Sequence, residues 1–396
     1  MSRLPDPSIN TAGPRPVPEI SPLEFIRALD AGERLQVIDV RSPGRVAAGR
    51  IDQVPGERFH NIAGSKLVGA SGLTGTGIDL SVPIVVVCGH GNDSKVCATH
   101  LNRMGGRARS LSGGMSAWMK LSIPRAIPPP EGLDRLIQFD RVGKGSLGYL
   151  LVSSGEAMII DPPRDPASYL GMMEESGGRL VAVADTHVHA DYISGASALA
   201  HERGVPYYLH PADNVFPYDE SSGRLDIRPL EDRMSIPLGR CAVGVVHTPG
   251  HSPGSVTFRI GDEAAFTGDF LFIGSIGRPD IADRTREWSA LLWTSVESAK
   301  NAWPPDIMIY PAHYASEDDR RKDGAVCARF GDLLSQNPWL QIAEQNAFMD
   351  RIQRNDAGVP GAYRTIKGIN VGLLCAGERE SDELESGKNE CALGDM

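Results

Sequence analysis

The feature that most constrains the fold of this chain is a series of histidine and aspartate residues, each placed after an apolar, strand-like run. The first is the segment Thr186 to Tyr192, T-H-V-H-A-D-Y, which follows the apolar-rich run from Leu180 to Ala184. Three later motifs offer His251 in H-T-P-G-H, Asp269 in F-T-G-D-F and His313 in Y-P-A-H-Y. Imidazoles and carboxylates that converge at strand ends are the usual material of protein metal sites. The series therefore predicts a metal site where these strands end, and the alternation of strand-like and helical stretches predicts sheets covered by helices.

Taken singly, each histidine would be weak evidence, because a lone histidine in a globular protein is more often a satisfied structural residue than a ligand. Four motifs in this order make a metal site the stronger interpretation. His210 and His247 also stand at strand-like ends, but neither matches a ligand position, so both are predicted to be structural.

The length and composition indicate a soluble protein of two or three domains. A chain of 396 residues is too long for one small core, at roughly 100–200 residues per domain. The hydrophobic content of 41% and the charged content of 23% are those of a globular protein. No apolar run approaches the roughly 20 residues that span a membrane. The proline-rich first eighteen residues contain no apolar core of a signal peptide.

Charge and cysteine usage narrow the partners and the location. The 50 acidic and 40 basic residues give a net charge of −10, which argues against nucleic acid and against an anionic membrane surface as partners. The six cysteines show no paired spacing, which fits reduced thiols better than a disulfide framework. A cytoplasmic protein is therefore expected, and a homo-oligomer is left open.

The first part of the chain alternates strands and helices in the manner of a parallel α/β domain. Leu35 to Val40 and Ile84 to Val87 are apolar runs suited to buried parallel strands. Helices are predicted from Ile20 to Ala31 and from Lys95 to Met104.

The second of these strands stops at a cysteine that opens a short loop before a helix. Backbone N–H groups and the helix dipole at such a place favour a thiolate and can cradle an anion. The alternative, a small buried cysteine at a strand end, carries about equal weight on the loop alone. The candidate loop consists of Cys88, Gly89, His90, Gly91, Asn92, Asp93 and Ser94.

The wider context favours the reactive cysteine. Asp39-Val40-Arg41 upstream, the Cys-initiated loop and the ending Leu111 to Trp118 together resemble a rhodanese (sulfurtransferase) domain over residues 15–123. The resemblance implies that Cys88 carries a persulfide sulfur. The loop departs from the family in having Gly89 and Asp93 where positive charge is common, and Asp93 is expected to repel anionic donors such as thiosulfate. Cys97 is predicted to be a packing residue.

The domain boundaries follow from composition. Residues 124–133 are proline-rich and are predicted to be a stiff linker between the first domain and a second domain over residues 134–375, whose last part is helical. Residues 1–14 are predicted to be a disordered arm. Residues 376–396 are acidic and poor in apolar residues, which predicts a disordered tail with Cys391 as an exposed thiol.

The order of motifs in the second domain resembles the metallo-β-lactamase superfamily, in which H-x-H-x-D-H, then His, Asp and His, build a one- or two-metal site at the edge of an αββα sandwich. In this chain Tyr192 stands where the motif has its last histidine. The hydroxyacylglutathione-type hydrolases of the superfamily use that histidine for a second metal. A tyrosine could ligate only as phenolate, which its usual pKa near 10 disfavours.

Within the superfamily, the one-metal branch that this chain resembles is the persulfide dioxygenases. The resemblance implies one Fe(II) per chain, held by His187, His251 and Asp269, with open positions for substrate and oxygen. His189, Asp191 and His313 are then expected to orient those ligands or to serve as additional ligands. Arg278, in a G-R-P-D loop, is expected to brace the loop or to face an anionic product, as is Tyr192. The alternative for Arg278 is a solvated turn residue.

The predicted protein is thus an α/β enzyme with a rhodanese-like domain followed by an αββα dioxygenase domain. The resemblance implies oxidation of a persulfide, such as glutathione persulfide, by O2 to sulfite and thiol. Cys88 could deliver sulfur to the iron or combine it with sulfite to form thiosulfate. One alternative is a hydroxyacylglutathione-type thioester hydrolase. The other is a sulfur carrier or sensor whose metal domain only binds.

Overall fold

The computed structural model describes residues 17–69, 73–279, 284–314, 316–355, 358–387 and 389–393. The chain divides into two compact units, Met1–Trp118 and Met119–Met396. The arm predicted over residues 1–14 and the Asp280 of the G-R-P-D loop lie outside the described residues. None of the helices in these ranges combines the length and the apolar composition that a membrane span requires.

The first unit is built on a five-stranded parallel sheet in the order β1-β5-β4-β2-β3. Helices follow the strands, as parallel connections require. The strands are β1 Glu19–Ile20, β2 Gln36–Asp39, β3 Phe59–Asn61, β4 Ile84–Val87 and β5 Ala108–Leu111. The helices are α1 Pro22–Asp30, α2 Pro43–Ala48, α3 Gly64–Leu67, α4 Asn92–Arg103 and α5 Gly114–Lys120.

Local sequence explains why these elements form where they do. Every residue of β4 is buried, as expected for a central parallel strand. Helix α1 begins with a capping box in which Ser21 and Glu24 satisfy each other's backbone N–H groups. Helix α4 begins at Asn92, three residues earlier than predicted, because Gly91 adopts a left-handed conformation with φ of 88° and directs the chain into the helix.

The second unit contains two mixed sheets. The seven-stranded sheet has the order β12-β11-β10-β9-β8-β7-β6, and the six-stranded sheet has the order β13-β14-β15-β16-β17-β18. The first sheet comprises β6 Ile123–Ile127, β7 Arg135–Arg141, β8 Ser146–Ser153, β9 Glu156–Ile160, β10 Arg179–Ala184, β11 Tyr207–Leu209 and β12 Arg228–Pro229. The second comprises β13 Ser235–Leu238, β14 Cys241–His247, β15 Val256–Ile260, β16 Ala264–Gly268, β17 Met308–Pro311 and β18 Ala328–Arg329.

The two sheets pack face to face and helices cover both outer faces. The shared core between the sheets includes Leu151 and Met158 of the first sheet and Phe258 and Phe266 of the second. Separate apolar clusters join α6 and α7 to the first sheet and α8, α9 and α10 to the second. The predicted αββα sandwich is therefore confirmed. Its helices are α6 Ala167–Glu175, α7 Ala196–Arg203, α8 Thr285–Ala302, α9 Phe330–Gln336, α10 Gln345–Arg354, α11 Gly361–Asn370 and α12 Glu378–Leu384.

The prediction of a stiff linker over residues 124–133 is wrong for its first half. Strand β6 pairs antiparallel with β7 over five residues, from Ile123 to Ile127, and belongs to the second unit. Proline cannot donate a ladder hydrogen bond, but Pro124 is tolerated here because β6 is the last strand of its sheet. The division between units accordingly falls after Trp118 and not after residue 123.

The prediction of a disordered tail after residue 375 is also wrong for the described part of that segment. Helix α12 is followed by a short stretch that pairs with the loop after β16, and Cys391 is fully buried. One of the acidic side chains that suggested disorder, Glu385, has a buried cationic partner. Glu385 accepts from Arg141 at 2.9 Å, and the Lys144 ammonium donates to the carbonyls of Glu385 and Gly387. These pairings hold the segment against the rest of the second unit.

Candidate metal centre

The predicted ligand residues come together at one edge of the sandwich, where strands of both sheets end. His187, His189 and Asp191 follow β10, while Asp269 follows β16 directly and His313 lies just beyond β17. His251 lies in the turn between β14 and β15. All six side chains are buried, with at most 1% of each residue's surface exposed. The structure thus places in one pocket six residues whose positions span more than a hundred residues of the sequence. The six are His187, His189, Asp191, His251, Asp269 and His313.

Three histidines present their Nε2 atoms to the pocket because their Nδ1 atoms are held by the protein. Nδ1 of His251 donates to the carbonyl oxygen of Arg278 at 2.9 Å, and Nδ1 of His313 donates to that of Gly145 at 3.3 Å. Nδ1 of His187 lies 3.0 Å from the hydroxyl oxygen of Thr186, and the proton of this hydroxyl is donated to Asp161. The Thr186 oxygen is therefore the acceptor in its contact with His187. Each Nδ1 therefore carries the ring proton, and each Nε2 keeps its lone pair.

Asp269 lies between two groups of these nitrogen atoms. Its Oδ2 is 3.7 Å from Nε2 of His187 and 3.5 Å from Nε2 of His251. Its Oδ1 is 3.4 Å from Nε2 of His313, which is also 3.6 Å from Asp191. We call His187, His251 and Oδ2 of Asp269 the first half of the pocket. The second half consists of Asp191, His313 and Oδ1 of Asp269.

The protonation of the first half suits a cation. Burial lowers the pKa of His187 and of His251 well below the ordinary histidine value, so both rings are neutral. Burial raises the pKa of Asp269 to about 6, although the imidazole of His313 opposes this. A cation bound among these groups would favour ionised Asp269 by direct attraction.

The donor set passes a test of fit for a metal ion. Within the described part of the chain, Nε2 of each of the three histidines and both oxygens of Asp269 and Asp191 are buried without a hydrogen-bond partner. Buried polar atoms are nearly always paired, so such a concentration requires an explanation. Candidate ligand atoms of His187, His251 and Asp269 all lie within 4.8 Å of one another, as do those of His189, Asp191 and His313. Nitrogen and carboxylate donors at these spacings fit a divalent transition metal.

His189 is turned away from the first half. Its Nε2 lies 3.2 Å from Asp161 and 2.9 Å from the Tyr192 hydroxyl, and Asp185 is 3.8 Å away. Burial opposes its protonation, but the Asp161 and Asp185 carboxylates raise the pKa of His189 to about 10. Its Nδ1 has no partner among the described residues, and one of its ring nitrogens lies within 4.8 Å of candidate ligand atoms of Asp191 and His313. His189 therefore takes the position of a residue that supports the pocket.

Tyr192 does not replace the missing histidine as a donor to the pocket. Its hydroxyl is engaged with His189 and with the carbonyl oxygen of Asp161, and its ring stacks on His189 with centroids 4.3 Å apart. Burial raises the pKa of the Tyr192 phenol well above its ordinary value, which keeps it protonated. The side chain therefore braces His189.

Arg278 braces the loop after β16. The side chain is buried and donates to the carbonyl oxygens of Gly358 and Glu390 at 2.9 and 3.2 Å. Its backbone carbonyl holds His251, and its backbone N–H donates to the carbonyl of Cys391. The solvated turn arginine weighed as an alternative is thereby excluded.

Sequence reasoning missed several residues that shape the pocket. Asp213 accepts from the backbone of Val188 and from Ser252 and Gly254, and so ties together the two loops that carry His187 and His251. No motif marks Asp213. Asp161 directly follows strand β9, and its place after an apolar run was the available signal.

A third missed residue is Cys391, whose sulfur lies within 4.8 Å of ligand atoms of Asp269 and His313. Burial raises the pKa of its thiol well above the ordinary value. Its position in an acidic, apolar-poor stretch gave no sign of burial.

A cavity of about 270 Å³ lies against the loops that hold the first half. Its lining includes Val188 and Ser252, which are next to His187 and His251 in sequence, and the cationic residues Arg284 and Lys367. Lys367 is 2% exposed and donates to the carbonyl of Val188 at 2.7 Å. The volume is near the lower end of small-molecule pockets, which run from roughly 300 Å³ upward.

The first unit contains the second candidate site. Cys88 follows β4, is 3% exposed, and its sulfur accepts from the Gly91 backbone N–H at 3.1 Å and lies 3.2 Å from the Ser94 hydroxyl. Asn92, Asp93 and Ser94 belong to the first turn of α4, so the loop itself is shorter than predicted. Gly89 is half-buried and His90 is exposed. The cysteine therefore sits at a helix N-terminus, as the thiolate interpretation requires.

Cys97, one turn along the same helix, is buried in the apolar cluster of this unit, and burial raises the pKa of its thiol to about 11. It therefore behaves as the predicted packing residue.

Comparison with known families matches both units. Residues 21–121 match the family described as rhodanese-like domain, and residues 142–324 match the metallo-β-lactamase superfamily. Human "Persulfide dioxygenase ETHE1, mitochondrial" is 37% identical over 166 residues, which are 40% of this chain and 59% of that protein. This chain therefore spans about three fifths of the length of that relative.

Two further similarities bear on the second unit. "Hydroxyacylglutathione hydrolase" of Acidiphilium cryptum is 40% identical over 222 residues, which are 50% of this chain and 87% of the relative. A solved metallo-β-lactamase structure from Staphylococcus aureus has a TM-score of 0.52 and 28% identity, covering 58% of this chain and 70% of that one.

Proposed function

The chain belongs to the metallo-β-lactamase superfamily and carries a rhodanese-like domain ahead of that fold, and from this premise we propose that it is an iron-dependent persulfide dioxygenase. The proposed reaction converts a low-molecular-weight persulfide, with glutathione persulfide as the expected case, O2 and one water molecule into a thiol, sulfite and two protons. One Fe(II) per chain is proposed at the first half of the pocket. The similarity to a persulfide dioxygenase over the metallo-β-lactamase domain supports this choice.

The observation that carries the proposal is the geometry of the first half. Two neutral imidazole nitrogens and one carboxylate oxygen face one another, each without another partner in the described ranges. Two histidines and one carboxylate on one face are the donor set of oxygen-activating ferrous sites, since they leave coordination positions open. Fe(II) held by His187, His251 and Asp269 would supply binding and reduction of O2 beside the substrate sulfur.

The remaining residues of the pocket orient these donors and limit access of water. Thr186 and the carbonyl of Arg278 fix the tautomers of His187 and His251, so both rings keep their orientation. The cavity beside them is lined by Lys367, which donates to the carbonyl of Val188, and by Arg284, which forms ion pairs with Glu220 and Glu287 of the same lining. A thiol carrier bound in this cavity would lie beside the loops that carry His187 and His251, so its sulfur would be close to the first half.

The second candidate function is hydrolysis of a glutathione thioester, favoured by the 40% identity to a hydroxyacylglutathione hydrolase over most of that relative's length. Against it stands Tyr192, which is hydrogen-bonded to His189 and takes the place of the histidine nitrogen that such hydrolases use in the second half of the pocket. The proposal therefore ranks oxidation above hydrolysis.

For the first unit, we propose that Cys88 carries sulfane sulfur as a persulfide. Its sulfur already accepts a backbone hydrogen bond at the start of α4, which would equally stabilise the thiolate that attacks a sulfur donor. All six cysteines are unpaired, which supports the cytoplasmic location proposed with this function.

A comparison of two reactions on one preparation tests the proposal. Iron-loaded protein is supplied with glutathione persulfide in an oxygen electrode, and separately with a glutathione thioester in a hydrolysis assay. Oxygen uptake with sulfite formation, far exceeding thioester hydrolysis, is expected. Thioester hydrolysis that exceeds oxygen uptake at equal metal content would establish the second candidate instead.

A further inference from the structure

The segment that follows α12 enters the metal pocket from outside the sandwich. Ala392 pairs with Gly277 in an antiparallel bridge, and the Arg278 N–H donates to the carbonyl of Cys391 at 2.8 Å. On the other side of the bridge, the Leu393 N–H donates to the carbonyl of Ile276 at 3.1 Å. This backbone pairing places the Cys391 side chain next to Asp269. Asp269 belongs to the same loop as Gly277 and precedes it by eight residues in the sequence.

Side-chain contacts fix the direction of the thiol. The Cys391 N–H donates to the side chain of Asn389 at 2.8 Å, and the Glu390 N–H donates to the hydroxyl of Tyr363 at 2.7 Å. The sulfur of Cys391 lies 3.8 Å from the same hydroxyl and has no exposed surface. The thiol is therefore a built part of the pocket wall.

The sulfur belongs to the second half of the pocket. Candidate ligand atoms of Cys391, Asp269 and His313 lie within 4.8 Å of one another, whereas His187 and His251 group with Asp269 without the cysteine. In the second half, Nε2 of His313 and both oxygens of Asp191 have no partner within the described ranges. These unpartnered atoms, together with the nearby sulfur, form a set that could surround one ion.

We propose that Cys391 is a thiolate ligand of a second metal position, which it completes with Asp191, His313 and Oδ1 of Asp269. One sulfur, one nitrogen and two oxygen donors make the four-coordinate set that Zn²⁺ accepts, and a thiolate favours Zn²⁺ over harder ions. Binding converts the thiol into a metal thiolate and releases its proton to solvent. The cysteine thus supplies the donor that Tyr192 removes, from a different part of the chain.

This inference goes beyond the proposed oxidation, because it concerns an ion other than the iron of the first half. Asp269 would be shared between the two ions through its two oxygens, which already face different histidines. The charges of Asp191 and the thiolate would balance those of the second ion. The reaction at the first half and the occupancy of the second can therefore fail independently.

The test is a cobalt titration of full-length, chelator-treated protein under anaerobic conditions. Co²⁺ takes zinc positions, and thiolate ligation produces a charge-transfer band in the near ultraviolet. Two equivalents and this band are expected for the parent protein. Cys391→Ser should lose the band and one equivalent, and its affinity for Zn²⁺ at the second position should fall on the order of 100-fold or more, since even residues that only orient ligands cost 10–100-fold.

Two controls separate this result from other effects. Cys375→Ser alters an exposed thiol and should leave band and stoichiometry unchanged. His187→Ala should lose the other equivalent and keep the band. A parent protein without the band at two equivalents, or a band that persists in Cys391→Ser, would overturn the proposal.

A measurement on the parent protein covers the case in which Cys391→Ser fails to fold. X-ray absorption at the zinc edge, after zinc loading, should show a sulfur neighbour at about 2.3 Å. A zinc environment of nitrogen and oxygen alone would overturn the proposal, whatever the outcome of the oxygen-uptake assay.

Discussion

The hydroxyl of Tyr192 lies 2.9 Å from Nε2 of His189, and together with Asp161 it engages this nitrogen outside the first half of the pocket. The motif of the two-metal hydrolases that this chain resembles has a histidine at residue 192. Tyrosine at residue 192 removes one nitrogen donor from the pocket, and its hydroxyl holds the side chain of His189 in place. The contact links the sequence departure at residue 192 to the three-donor geometry of His187, His251 and Asp269.

Removing this hydroxyl should weaken the fold without emptying the first half. Tyr192→Phe keeps the stacked ring but deletes the hydrogen bond to His189, which retains Asp161 as a partner. We expect a loss of about 1 kcal/mol in the free energy of unfolding, the usual net value of one hydrogen bond. Urea unfolding of metal-free protein measures it, and iron analysis should give the parent value. Loss of iron in this variant would show that Tyr192 acts on the metal directly.

The tail should depend on its buried ion pair. Arg141 and Glu385 are 2.9 Å apart with side chains about 4% and 5% exposed. Glu385→Gln leaves the Arg141 charge without its carboxylate, and removal of one partner of a buried pair costs roughly 3–5 kcal/mol. We expect the tail to loosen and Cys391 to react faster with an alkylating reagent, followed by peptide mass spectrometry. Glu380→Gln is the control, because Glu380 is exposed on helix α12, which ends just before Glu385. Cys391 in this variant should react at the parent rate.

Metal affinity should rise with pH up to about 6. The pKa of Asp269 in the metal-free pocket is about 6, raised chiefly by burial, and a metal must displace that proton. Below this pKa the proton competes, so affinity falls by up to about tenfold per pH unit. Above this pKa, Asp269 is already ionised and no longer makes the metal affinity depend on pH. His187 and His251 do not compete, because their pKa values are depressed.

Chelator competition from about pH 5 to pH 8 measures this dependence in the Cys391→Ser variant, where the second position does not contribute. A flat affinity across pH 6 would show that Asp269 does not ligate the first ion.

The two units should be chemically separable. Cys88→Ser removes the thiolate that would carry sulfane sulfur, whereas the three donors of the first half lie in the other unit. Sulfur transfer from thiosulfate to a thiol should disappear, and oxygen uptake with free glutathione persulfide should stay within a few-fold of the parent. Cys97→Ser, in the packed core of the same unit, controls for damage to the fold. If oxygen uptake is lost while iron content is unchanged, the substrate must be carried on Cys88 itself.

Much of the fold and the first half of the pocket could be read from local sequence. Strand β4 matches its prediction residue for residue, since a wholly apolar run has few other structures available. His187, His251 and Asp269 were candidates because each follows such a run, and their selection as one ligand set came from the resemblance to the persulfide dioxygenases. The spacing of these residues in the sequence does not show that they lie close together in space. The order of the motifs predicted it.

The parts that were missed depend on distant partners. Pro124 suggested a linker, and only the edge position of β6 makes proline acceptable in a strand. Glu385 suggested a solvated acidic tail, because Arg141 and Lys144 lie far away in sequence. Cys391 reaches the pocket through backbone pairing with the loop at Gly277, and no local pattern encodes such a pairing.

The most direct measurement of the central claim compares iron content and oxygen uptake in His187→Ala and His189→Ala. His187 presents an unpartnered Nε2 to the first half, whereas Nε2 of His189 is held by Asp161 and Tyr192. We expect His187→Ala to lose iron and oxygen uptake together, as His251→Ala and Asp269→Ala also should, while His189→Ala keeps part of its iron. If His189→Ala strips the iron as completely as His187→Ala, four ligands hold the metal and the hydrolase interpretation takes the lead.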